Sequence, residues 1–497
     1  MPAAIQNVVV LMFENRSYDN VLGKLYDASY APPYDAPPPG QAHLRGLTGA
    51  ESNPIPGGGS IAVAPAVNDP SAHPPVFATT VPVADPGEPF ADMAQQILGL
   101  TEPPSNGNPY AGPPGPYGLM GGFVANYERQ KHGPVPAQIM MHMTPALMPV
   151  TAFLANRYMI CDEWFGSVPS QTFSNRLFSL CAQSGAWPEA DPRFSYIDDL
   201  EYLGLEHFAS PVYFWFARLK LRSIFSQLDK IGVAARRPGT AIPNWKLYFH
   251  DYSNTAALLE YVKLRCDDPA GINVGQYDLS DYSRQTTYLA NKQFTTFADD
   301  LAAETLAPFT LIEPRYSNNF PGAAKGNSSQ SNHPGVQAVI NLPWDASPAV
   351  DTFYGELLLL DVYSQLRRSA YWPHTLLIVV YDEHGGCYDH LPPVRGMARP
   401  SETTPPTEMG FDFTVSGPRV PALIVSPFAE AGTTLRARDG ATFDHTSIIK
   451  TVWECFDLDR TGDVGLTDRD RAAPSILRAL SESAVNDTDI PPTPTHP

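Results

Sequence analysis

Glu14 and Asn15 follow directly on the apolar run Val8 to Phe13, and Asp382 and Glu383 follow directly on a second such run, Leu376 to Tyr381. Adjacent acidic groups at the end of a buried strand are costly unless something positive neutralises them. A divalent cation does so with the oxygen ligands these side chains offer. A third apolar run, Tyr158 to Cys161, leads through Ser167-Val168-Pro169-Ser170-Gln171 to Thr172, where a helical pattern opens. A hydroxyl there could act as a nucleophile, and the helix N-terminus behind it offers backbone N–H groups to a phosphate. Each piece also has a plain structural reading. Glu14-Asn15 could start a solvated loop, Asp382-Glu383 could cap a helix, and Thr172 could be an N-cap. Three strand ends presenting carboxylates, an amide and a hydroxyl toward one place form a stronger signal than any of them alone.

The elements that must position these groups alternate. Val8 to Phe13 is a continuous, β-branched run of the kind buried in parallel sheets, and Phe309 to Ile312, Leu376 to Tyr381 and Val420 to Ser426 read likewise. Between them lie helical patterns at Asn175 to Ser184, Tyr354 to Arg368 and Ser447 to Phe456. The alternation predicts an α/β fold, a doubly wound, mostly parallel sheet with helices on both faces and long loop insertions. In such sheets ligands gather at the carboxyl ends of the strands. A single catalytic domain over residues 1–480 is expected. It carries a Pro/Gly-rich insertion of irregular loops and small elements at about 27–120 and an aromatic-rich one at about 186–300, and a tail follows at 481–497. The Met cluster at 140–148 reads as core.

With 33 Lys and Arg against 52 Asp and Glu, the 497-residue chain has a formal net charge of -19. That disfavours nucleic acid and strongly anionic membranes, both of which need a concentrated basic footprint. The 5 cysteines are scattered and form no CxxC pair, so neither a disulfide framework nor a cysteine metal site is suggested. No stretch approaches the roughly 20 apolar residues that span a bilayer, and no export signal is visible. The expected location is cytoplasmic, or outside the cell by a signal-independent route, or by secretion if a leader has been trimmed. Oligomeric state is not legible.

Seven blocks, in order, resemble the bacterial phospholipase C and acid phosphatase family of the alkaline phosphatase superfamily. They are Glu14-Asn15-Arg16-Ser17-Tyr18-Asp19, Val168 to Arg176, Ile312-Glu313-Pro314-Arg315-Tyr316, Asn332-His333-Pro334, Asp382 to His390, Gly417-Pro418-Arg419-Val420-Pro421 and Phe443-Asp444-His445-Thr446-Ser447. The resemblance runs from about residue 7 to about 475.

It implies a metal-dependent phosphoesterase. Glu14, Asn15, Asp382, Glu383 and the Thr172 oxygen would hold one divalent metal ion. All-oxygen ligation favours Ca²⁺, Mg²⁺ or Mn²⁺, with Zn²⁺ the softer alternative. Thr172 aligns with the nucleophile, Ser170 being the rival hydroxyl, and His333 with the general acid. Asn175, Arg176, Arg315, His384, His390 and His445 would bind substrate or orient the site. The activity implied is that of a phospholipase C acting on phosphatidylcholine-like head groups through a phosphothreonine. A broad-specificity acid phosphatase, with Arg176 or Arg315 as cationic subsite, is the alternative, and an inactive binding protein on the same scaffold a remote one. The partner would be a phospholipid or small phosphoester, met by transient membrane contact. The aromatic stretch Tyr202 to Phe216 could serve acyl chains or a quaternary ammonium group, or be simple core. The lack of a CxPxR motif disfavours a sulfatase. The EF-hand-like Asp457 to Gly462 lacks a final Glu.

Overall fold

The computed structural model describes residues 5–25, 44–72, 75–131, 133–186, 194–199, 221–231, 242–250, 253–255, 258, 274–276, 295–316, 329–335, 350–438, 440–458 and 465–496, and the structural statements below concern these. β1 (Asn7–Phe13) is buried at every position, as a continuous apolar run requires when both faces of a sheet are covered. The other strands of the main sheet are β2 (Met159–Cys161), β3 (Trp245–Phe249), β4 (Val274–Gln276), β5 (Phe309–Ile312), β6 (Thr375–Tyr381), β7 (Ala422–Val425) and β8 (Thr433–Leu435). Their order is β8-β2-β7-β6-β1-β5-β3-β4. β1 pairs in parallel with β6 on one side and β5 on the other, and β3 and β4 continue the parallel set. β7 alone among them runs the other way, between β6 and β2. The mostly parallel α/β sheet is thus present.

The helices used below are α1 (Tyr18–Leu22), α2 (Phe90–Leu98), α3 (Pro149–Arg157), α4 (Thr172–Cys181), α5 (Thr352–Arg368) and α6 (Thr446–Cys455). α3 packs with α5, and α4 with α6. The first and last turns of α4 lie earlier than the apolar pattern alone suggests. The helix starts at Thr172 and stops at Cys181, where Ala182 takes a left-handed conformation, φ 57°.

The segment read as irregular, 27–120, contains α2. Its Phe90, Met93, Ala94, Ile97 and Leu98 are buried at helical spacing, and Gly99 closes it with φ 64°. That face builds a second, smaller core with Phe123, Tyr127, Tyr388, Phe411 and Phe413, beside the main one on the sheet. Of the Met cluster, Met140, Met143 and Met148 are buried. No described helix is long and apolar enough to cross a membrane.

Candidate active site

Phe13 and Tyr381 are register partners, so the residues that follow them leave the sheet side by side. The Asp382 N–H donates to the Phe13 carbonyl at 3.1 Å, which fixes the two turns together. Asn15 takes φ 56°, a left-handed conformation that an Asn tolerates better than most residues. Its carbonyl comes so close to Gly385 that a Cβ there would lie 2.0 Å away, and only glycine fits.

Both oxygens of Asp382 are engaged, with Oδ2 keeping room for a further partner. Its Oδ1 accepts the N–H groups of Asn15 at 3.2 Å and Glu383 at 2.8 Å, and its Oδ2 accepts from Arg176 Nε at 2.9 Å. Arg176 lies one turn along α4 from Thr172. Its Nη1 reaches Glu313 Oε1 at 2.6 Å and its Nη2 stands 4.0 Å from Glu14 Oε1. Glu14 Oε1 also accepts from Asn254 Nδ2 at 2.8 Å. Glu313 ends β5 as Glu14 ends β1, so three neighbouring parallel strands each deliver a carboxylate to one guanidinium.

Two oxygens here lack partners: Asn15 Oδ1 and Glu383 Oε1, both buried. The Asn15 amide is oriented by its other end, where Nδ2 donates to Glu88 Oε1 at 2.9 Å, and Glu383 Oε2 accepts the Gly385 N–H at 2.6 Å. Buried acceptors without donors are costly, and a hard cation is the partner they suit. Burial pushes the carboxyls of Glu14, Glu383 and Asp382 up, the first two well above the ordinary range. Positive charge at this point would return them to the ionised form. Asn15 Oδ1 and Glu383 Oε1 are thus open to a divalent cation, but Glu14, Asp382 and Glu383 do not bring three carboxylate oxygens within 4.8 Å of one another; among the described residues near the site, Asp85, Glu88 and His333 do.

His333 is buried against Glu88 and Asp85. Its Nδ1 donates to the Pro334 carbonyl at 2.7 Å, leaving Nε2 3.6 Å from Glu88 Oε1, while Nδ1 lies 3.9 Å from Asp85 Oδ1. Burial pulls the ring down to about 4 and pushes Glu88 up to about 8. Asp85, Glu88 and His333 are close enough together to hold an ion themselves.

Thr172 is the first residue of α4 and only 8% exposed. The Asn175 side chain turns back on the loop before it, donating to the carbonyl of Ser170 at 2.6 Å and accepting the Val168 N–H at 3.2 Å. It therefore shapes the loop that leads into Thr172. His445 Nε2 donates to the Asp382 carbonyl at 2.5 Å, with Trp164 Nε1 donating to its Nδ1 at 3.3 Å. The His384 ring is buried against Gln96, Nε2 to Oε1 3.0 Å. His390 belongs to a separate cluster with Asp19, Asp389 and Arg419. Arg315 adds its charge to burial in lowering His250 to about 3. The aromatic stretch Tyr202 to Phe216 lies outside the described residues.

The sequence model of the phosphoesterase family matches residues 5–459. The chain belongs to the phosphoesterase family. It is similar to non-specific phospholipase C3 of Arabidopsis thaliana, at 28% identity over 98% of this chain and 76% of that protein. Non-specific phospholipase C6 of the same plant is 28% identical over 98% of this chain and 74% of that protein. Phospholipase C A of Mycobacterium tuberculosis (strain ATCC 25618 / H37Rv) is 25% identical over 64% and 52%. A solved structure of a protein in the alkaline phosphatase superfamily from Vibrio parahaemolyticus overlaps with 62% of this chain and 60% of its own, at 12% identity and a TM-score of 0.29. The chain is a phosphoric ester hydrolase.

Several groups of this phosphoesterase site were not singled out from sequence. Glu313 obeys the strand-end rule that found Glu14 and Asp382, and was legible on that rule. Asp85 and Glu88 lie in the Pro/Gly-rich stretch, and Asn254 and Asp199 in helical turns that no period in the sequence marks.

Proposed function

We propose that this phosphoesterase is a metal-dependent phospholipase C, cleaving phosphatidylcholine-like head groups through a covalent phosphothreonine on Thr172. The observation that carries this reading is the tie from α4 to the strand ends. Thr172 opens the helix whose next turn, through Arg176, is held to Asp382 and Glu313. The names of the plant and mycobacterial relatives agree with it.

Glu14, Asn15, Asp382, Glu383 and the Thr172 oxygen would hold one cation, with Ca²⁺, Mg²⁺ or Mn²⁺ favoured by an all-oxygen set. When bound, such an ion supplies positive charge that lowers the pKa of a hydroxyl and offsets charge on the phosphoryl oxygens. Thr172 Oγ1 attacks phosphorus, its proton passing to a neighbouring carboxylate. The bond from phosphorus to the glycerol oxygen breaks, and that oxygen takes a proton from His333 Nε2. Nε2 is the free ring nitrogen because the Pro334 carbonyl holds Nδ1. The negative charge of a bound phosphodiester raises the affinity of the ring for the proton it must carry. Water then attacks phosphorus and gives a proton to His333, while the bond to Thr172 Oγ1 breaks and that oxygen recovers its proton from the carboxylate as the phosphorylated head group leaves.

Product analysis on phosphatidylcholine micelles, beside p-nitrophenyl phosphorylcholine and p-nitrophenyl phosphate, tests the proposal. Diacylglycerol and phosphocholine are expected, and Thr172→Ala should abolish their release while Thr172→Ser retains some. Turnover of the monoester with no diacylglycerol would make the protein a broad-specificity acid phosphatase instead.

A further inference from the structure

Residues 197–199 lie against the first turn of α4 and bind it at consecutive positions. The Ile197 carbonyl accepts from Ser174 Oγ at 2.6 Å, and Asp198 Oδ1 accepts from Ser170 Oγ at 2.5 Å. Asp199 Oδ1 accepts the Phe173 N–H at 2.9 Å, and its own N–H donates to Gln171 Oε1 at 3.2 Å. Asp198 is anchored from a second side, because Oδ1 also accepts the Phe90 N–H at the start of α2, at 2.7 Å. A carboxylate is thus fixed on the N–H of the residue after Thr172, at the helix end that would otherwise be offered to a phosphoryl oxygen. α4 uses no side chain of its own cap residue there.

The charge that might balance it is spent elsewhere. Arg176, the guanidinium of the same helix, is fully buried with Nε on Asp382 and Nη1 on Glu313. A phosphomonoester carries two negative charges near and above neutral pH and a phosphodiester one. With a carboxylate beside the nucleophile and two of the three guanidinium nitrogens held by carboxylates, the second charge meets repulsion, and the one guanidinium donor left open, Nη2, already stands 4.0 Å from Glu14 Oε1.

We infer that Asp199 determines specificity: its carboxylate, seated on the N-terminus of the nucleophile helix, admits the single charge of a phosphodiester and disfavours the second charge of a phosphomonoester. The inference rests on the phosphodiesterase reading above and names the residue that would enforce it. The Phe173 N–H and the helix dipole favour the ionised carboxylate; burial and the charges of Asp198, Glu88 and Asp382 push the group up. Assays are therefore run as a pH series, and the effect should grow toward alkaline pH as the carboxylate ionises.

Asp199→Asn keeps a carbonyl oxygen for the Phe173 N–H and removes the charge. Three probes are compared: p-nitrophenyl phosphate, methyl p-nitrophenyl phosphate (a diester with no cationic head) and p-nitrophenyl phosphorylcholine. The expected result is a rise in kcat/KM of about tenfold for the monoester, the order of one partly screened like-charge contact, with both diesters nearly unchanged. A monoester rate that does not move overturns the inference. So does an equal change for all three probes, which would mark Asp199 as a helix cap only. A second measurement needs no variant. In the unmodified protein, added salt should raise the ratio of monoester to methyl-diester kcat/KM by screening the repulsion, and a flat or falling ratio counts against Asp199. If the unmodified protein cleaves neither diester, the functional reading itself fails, whatever the variant does.

Discussion

Two buried ion clusters lie beside the same sheet, and they differ in how their charge is met. Around Arg419, the account closes. Its Nη2 donates to Asp19 at 2.9 Å and its Nε to Asp389 at 3.0 Å, with Nη1 on the carbonyls of Arg45 and Asp162. His390 Nδ1 meets Asp19 at 2.6 Å, and the guanidinium lies 4.4 Å from the centre of the Tyr18 ring. Both carboxylates also accept backbone N–H groups, Asp19 from His390 and Asp389 from Asp19 and Leu391. Around Arg176 it does not close. Glu14, Glu313 and Asp382 crowd one guanidinium, and Glu383 Oε1 and Asn15 Oδ1 face no donor. Fully satisfied polar networks rigidify a core, whereas buried acceptors left open are tolerated where a ligand completes them. The first cluster is masonry, and the second is a seat.

The largest effect follows from breaking the closed cluster. Arg419→Leu leaves Asp19 and Asp389 buried without their cation, and removal of one partner from such a group costs about 3–5 kcal/mol. Urea unfolding should show that loss, and added divalent cations should not repair it. A variant within about 1 kcal/mol of the parent, the size of an exposed ion pair, would mean the cluster is not the structural brace its geometry describes.

The next effect separates the open cluster from the closed one. Ca²⁺, Mg²⁺ or Mn²⁺ should raise the unfolding temperature of the parent. At a hundredfold excess over Kd the gain is about 2.7 kcal/mol. Asp382→Asn or Glu14→Gln should remove most of this response. His390→Ala, which alters only the Arg419 cluster, should keep it. Equal loss of the response in both sets would erase the distinction between them.

Much of this comparison was visible in the chain and some was not, for physical reasons. Glu14 and Asp382 were found because each ends a continuous apolar run, and the register of Phe13 with Tyr381 makes those ends adjacent. Strand order is another matter. Tyr158 to Cys161 reads as a neighbour of the site, yet β2 sits beyond β7, and Thr172 arrives by a loop that runs along Gly417 and Pro418, Gly166 donating to the Pro418 carbonyl at 2.9 Å. Arg176 reads as a group that binds substrate or orients the site. The residue it touches, Asp382, is 206 residues away, a distance over which no local pattern speaks. Glu88 and α2 were hidden by their Pro/Gly-rich flanks, although Phe90, Met93, Ala94 and Ile97 carry helical spacing. Asp199 acts through its tertiary contact with α4, which composition does not record.

The smallest effect probes how complete the closed cluster is, through pH. Burial pushes Asp389 up to about 6 from an ordinary 3.8; Arg419 pulls it down and Asp19 pushes it up again. For His390, burial pulls down but the hydrogen bond and charge of Asp19 outweigh it, so its pKa is raised. A raised folded-state pKa means the native protein holds more protons than the unfolded chain between the two values, and stability falls as pH rises across that window. For Asp389 the window runs from 3.8 to about 6, and for His390 it begins at 6.5 and extends upward. The Asp389 displacement bounds its contribution at about 3 kcal/mol, and coupling to its charged neighbours reduces the expected change to about 1 kcal/mol. Asp389→Asn should therefore flatten the stability curve between pH 4 and 6, roughly the window above, and leave the limb above 6.5 to His390→Gln. Urea midpoints measured across this range decide it. A parent whose stability rises with pH through the acidic limb, and an Asn variant that keeps that rise, would show Asp389 ionised throughout and the Arg419 cluster closed at every pH.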